Sequence, residues 1–70
     1  MMIDYRHPKQ LSTVKFPEYV KRSIGQDFTF WKVADMTYEV HKARLCIWRN
    51  VTMDVNDARS KFSADMKEKL

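Results

Sequence analysis

The chain predicts an all-α fold, a small three-helix arrangement with one long central helix and a basic N-terminal arm, and three observations carry that prediction. Gly25 is its single glycine, and Pro8 and Pro17 are its two prolines. A hairpin-rich β protein needs such punctuation along its whole length, and here it stops at residue 25. Residues 28 to 49 follow with no breaker inside them. Finally, Val55, Ala58, Phe62, Met66 and Leu70 recur every three or four residues, the stripe of an amphipathic helix.

Taken in order, residues 1–15 lack sustained periodicity and contain His7-Pro8, so they read as an extended basic arm whose Tyr5, Leu11 and Val14 can clip onto the body. Residues 16–70 read as one small helical domain. Pro17 suits the first turn of a helix, Glu18 complements its dipole, and Phe16, Val20 and Ile24 fall four residues apart, giving a first helix over 17–24 that Gly25 ends. Asp27 offers an N-cap for the central helix, 28–49. At 100° per residue, Lys32, Asp35, Glu39, Lys42, Cys46 and Asn50 form one wet strip. Much of the remaining circumference is apolar, including Phe30, Trp31, Met36, Tyr38, Leu45, Ile47 and Trp48, with Thr37, His41 and Arg44 interrupting it. Arg49 to Met53 reads as a connection. Asp54 and Asp57 then make an N-terminal box for a last helix, 55–69, in which Asp57 with Lys61 and Asp65 with Lys69 are acid-first pairs.

The alternative fold is α+β with a small antiparallel sheet in 28–49. It rests on the strand-favouring runs Phe28-Thr29-Phe30-Trp31, Tyr38-Glu39-Val40 and Leu45-Cys46-Ile47-Trp48. Against it stands the lack of any Asn-Gly or Asp-Gly turn between them.

Seventy residues amount to one domain, and a core this small calls for a disulfide, a metal or another chain to support it. Cys46 is the only cysteine, which excludes an internal disulfide, and with His7 and His41 the only histidines a zinc site of the usual Cys and His count is not expected. No metal and no cofactor is therefore expected. A lone thiol suits a reducing cytoplasm. No apolar run is long enough for a membrane span, and Met1 to Arg6 lacks the apolar stretch of a secretion signal.

Catalysis finds little support. On a helix, His41 lies far around the circumference from Cys46, so no thiol–imidazole pair forms, and Asp35 with Glu39 reads as ion-paired surface. One glycine cannot build a phosphate-binding loop. The chain is expected not to be an enzyme and to act on no small-molecule substrate.

Binding remains. Five methionines and 13% aromatic residues are a composition favoured on adaptable contact surfaces. The expected function is a small binding protein acting through protein–protein contact and self-associating, with Trp31, Tyr38, His41, Arg44, Leu45 and Trp48 as its interface. The alternative is nucleic-acid binding. The formal charge is +4, and residues 1–26 carry five basic groups against two acidic ones. Arg6, Lys9, Lys15, Lys21 and Arg22 are the candidate phosphate contacts.

Overall fold

Aromatic and β-branched side chains pack well on a pleated surface, and the runs that carry them fold as strands. The computed structural model describes residues 8–69, and within them the central rod does not exist. The order is β1 (Lys9–Gln10), α1 (Glu18–Ile24), β2 (Phe28–Ala34), β3 (Thr37–Lys42), β4 (Leu45–Val51) and α2 (Val55–Lys67). The fold is α+β. The expectation of an all-α, three-helix arrangement, and with it a helical domain over 16–70, is overturned by a four-stranded antiparallel sheet in the order β1-β2-β3-β4.

The physical reason lies in two turns that the sequence conceals. β2 and β3 join through Asp35-Met36, and β3 and β4 through Ala43-Arg44. Met36 (φ 56°), Ala43 (φ 52°) and Arg44 (φ 67°) all adopt the left-handed conformation usually left to Gly or Asn. Both central residues of the second turn have positive φ, as a type I′ hairpin turn requires. Strand pairing and core burial supply the stabilisation that the turn residues themselves do not.

Register decides what each face carries. Phe30 pairs with Val40 and Val40 with Trp48, and all three belong to the core with Val20, Tyr38, Ala58, Phe62 and Met66. The two helices cover this face. Phe16, just before α1, sits among the rings of Phe28, Phe30 and Phe62 at centroid distances of 5.3, 5.3 and 5.6 Å, all near edge-to-face, an arrangement favoured by the ring quadrupoles.

The last helix matches its expected start. The Asp54 carboxylate accepts from the Asp57 amide at 2.9 Å, which satisfies an orphan donor of the first turn, and the Asp57 carboxylate accepts from the Met53 amide at 3.3 Å, which fixes the chain entering the helix. Asp57 pairs with Lys61 at 3.4 Å. Asp65 has a different partner from the one its spacing suggests: its carboxylate accepts the Trp48 indole N–H at 2.8 Å, fixing α2 to β4.

The described part of the arm lies against the body. Lys9 and Gln10 pair with Lys32 and Trp31, the Leu11 amide donates to the Phe30 carbonyl at 2.8 Å, and Leu11 and Val14 pack on the core. Among the described residues, no helix is long and apolar enough to cross a membrane.

Candidate functional site

The sheet face turned away from the helices carries the chemistry. Thr29 of β2 pairs with His41 of β3, which pairs with Cys46 of β4. One step along, Trp31 pairs with Glu39, and Glu39 with Arg49. Alternation puts Thr29 with Trp31 and Glu39 with His41 on one face, and a bulge in β4 brings Cys46 and Arg49, three residues apart, to the same face. Ile47 is the bulged residue that shifts the register between Val40 and His41, bringing Cys46 opposite His41.

Glu39 is the centre of this group, an acidic residue only 3% exposed. Buried charge requires partners, and it has them. Arg49 reaches Oε2 through Nε at 2.8 Å and Nη2 at 2.8 Å, while His41 Nε2 lies 2.6 Å from Oε1. The Cys46 thiol donates to the Trp48 carbonyl at 3.3 Å. Burial of its sulfur raises the thiol above its ordinary 9.0, and the Glu39 carboxylate adds to the rise. Cys46 is exposed as a residue, yet its sulfur stands beside the carboxylate. A raised thiol titration lowers the thiolate fraction of a free cysteine and with it its nucleophilicity.

Beside this network a pocket of about 440 Å³ is lined by Asp27, Thr29, Trp31, His41, Ala43 and Arg44. The Trp31 indole N–H donates to the Thr29 hydroxyl at 2.9 Å, and its ring lies 6.0 Å from the His41 ring, tilted by 33°. Aromatic walls with an arginine at the rim suit a planar or apolar group from a partner.

Of the six expected interface residues, the structure brings Trp31, His41 and Arg44 together in this pocket. Leu45 stands nearby on β4, 67% exposed. Tyr38 and Trp48 lie in the core, 4% and 9% exposed, and are unavailable to a partner. Burial also raises the Tyr38 phenol above its ordinary 10.0, with Asp54 and Asp35 contributing less.

Among the expected phosphate contacts, Lys9, Lys15, Lys21 and Arg22 are exposed, and Arg6 lies outside the described residues. Lys15 and Lys21 line one pocket of about 290 Å³ together with Gln10 and Gln26.

Sequence reasoning missed the buried carboxylate. Glu39 and His41 two apart, inside Thr37-Tyr38-Glu39-Val40-His41, are a polar alternation that has meaning only if the segment is a strand. It also missed the apolar surface of β4, where Val51 is 53% exposed, Ile47 39%, and Met53 just beyond 78%. No protein-family model matches the chain, and no curated protein or solved structure is significantly similar to it.

Proposed function

We propose that the protein is a small, non-enzymatic binding protein that acts through protein–protein contact, taking a strand of another polypeptide onto the free edge of β4, in the first instance β4 of a second copy. The observation that carries this reading is the edge itself. β4 is seven residues long and ends the sheet, with no described strand beyond it. Leu45, Ile47 and Val51 along it, and Met53 after it, are exposed. Soluble proteins shield such edges with charge, proline or brevity, and β4 carries one charge, Arg49, already engaged by Glu39. An unshielded apolar edge suits strand addition, where backbone hydrogen bonds give affinity and alternate side chains give selectivity.

A second copy fits because antiparallel β4–β4 pairing is its own complement about a two-fold axis. It also supplies the extra burial that a chain of this length without a disulfide lacks. The pocket holding Trp31, His41 and Arg44 lies on the adjoining face and offers a larger partner its anchor site. The proposed compartment is the cytoplasm, where the single thiol stays reduced.

Light scattering across a concentration series tests the reading. The expected result is a concentration-dependent dimer whose β4 amides become protected from exchange, reduced to monomer by Leu45→Lys with Ile47→Lys. A wild-type chain that stays monomeric up to its solubility limit sinks the self-pairing.

A second reading has its own support. Lys9 stands directly opposite Lys32, an unfavourable pairing of like charges that a bound phosphate would relieve, and Lys15 and Lys21 share a pocket. Nucleic-acid binding by this edge is the alternative.

A further inference from the structure

Counting Cys and His alone excludes zinc, but the buried carboxylate changes the count. Donor atoms of Glu39, His41 and Cys46 all lie within 4.8 Å of one another. We propose that these three residues bind a single zinc ion, with a fourth position beside the Trp31 pocket that no described residue fills.

The ion pair alone accounts for Glu39, whose two oxygens face His41 and Arg49. It does not call for a sulfur. Cys46 is there because the β4 bulge sets it opposite His41, giving one thiolate, one imidazole and one carboxylate from two neighbouring strands. That donor set selects the metal. A thiolate disfavours magnesium and calcium, which prefer oxygen, and mixed sulfur, nitrogen and oxygen ligation suits zinc. Three protein ligands with a vacant fourth position is an established zinc arrangement.

The adjustments are small. Around a tetrahedral zinc, with metal–ligand lengths of roughly 2.0–2.2 Å, nitrogen and oxygen ligands stand about 3.3 Å apart. His41 Nε2 and Glu39 Oε1, now at 2.6 Å, must part slightly, and half-buried His41 has room to move. Cys46 exchanges its hydrogen bond to the Trp48 carbonyl for the metal and releases its thiol proton to solvent. On zinc binding His41 releases to solvent the Nε2 proton that now lies between it and Glu39 Oε1, keeps one proton on Nδ1, and offers Nε2 to the ion. Arg49 stays on Oε2 and holds the carboxylate so that Oε1 faces the ion, the role that outer hydrogen bonds play at metal centres.

Cobalt(II) serves as the probe on the full chain, stripped with chelator under reducing conditions. We expect one equivalent to give a thiolate-to-cobalt charge-transfer band with the intense visible bands of a four-coordinate site, and zinc to displace it, following their order of affinity. Cys46→Ser should abolish the charge-transfer band, and His41→Gln should weaken binding at least tenfold. Arg49→Lys should lower affinity by about 10-fold, as loss of an orienting partner does. Cys46 and His41 lie outside the core, so these variants keep the fold, checked by far-ultraviolet dichroism, whether or not Glu39→Gln does. A wild-type protein without the charge-transfer band overturns the proposal, as does a band of equal strength in His41→Gln at the same cobalt concentration.

Discussion

Gly25 shows how one residue fixes a junction. At φ 87° and ψ 177° it occupies a region open essentially to glycine alone, where other residues cost of order 1–3 kcal/mol. A β-carbon there would also lie 2.9 Å from Lys42 Nζ, whose ammonium donates to the Ile24 carbonyl at the end of α1. Gly25→Ala is therefore expected to destabilise the protein by about 2 kcal/mol, read as a lower urea midpoint with unchanged slope. This residue was legible as a helix stop because glycine announces its own conformation. The Asp54–Asp57 cap was legible for the same reason, being a local bond between near neighbours. Glu39 was not. Its meaning depends on Arg49, ten positions away, and on Cys46, seven away, and no local pattern reports a meeting across strands.

At the scale of elements, the sequence places α1 and α2 within a residue or two of their observed bounds, whereas it presents 28–49 as one helix where three strands form. Its apolar groups are dense enough to satisfy either period, so the turns had to arbitrate. Those turns use Asp35-Met36 and Ala43-Arg44 in place of the glycine and asparagine that advertise a hairpin. Positive φ at Ala43 and Arg44 leaves strain that a better turn sequence removes. Ala43→Asn with Arg44→Gly is expected to raise stability by about 1–2 kcal/mol, since a left-handed residue bearing a β-carbon costs roughly 1–2 kcal/mol and Asn-Gly is the favoured pair. Chemical denaturation checks it, and a lower midpoint would mean that the Arg44 side chain contributes more than the strain costs.

Across the whole molecule, charge and apolar surface fall in different places, and that separation lets the two binding readings be told apart. The radius of gyration, 11.6 Å, is close to the roughly 11 Å of a compact chain of this length. Contact through the apolar β4 edge should hardly respond to salt between about 50 and 200 mM, whereas phosphate contacts weaken steeply over that range. Lys15→Glu with Lys21→Glu is expected to abolish any retention on a nucleic-acid column while leaving the solution mass unchanged. A mass that falls with added salt would instead place the association on the lysines.

The brevity of β1 governs how far such an assembly grows. If two copies join through β4, the outermost described strand on each side of the doubled sheet is the two-residue Lys9–Gln10, with its lysine beside another lysine. A margin so brief and so positively charged offers little template to an incoming copy, so growth terminates at a pair. The same chain without that guard would extend into a ribbon.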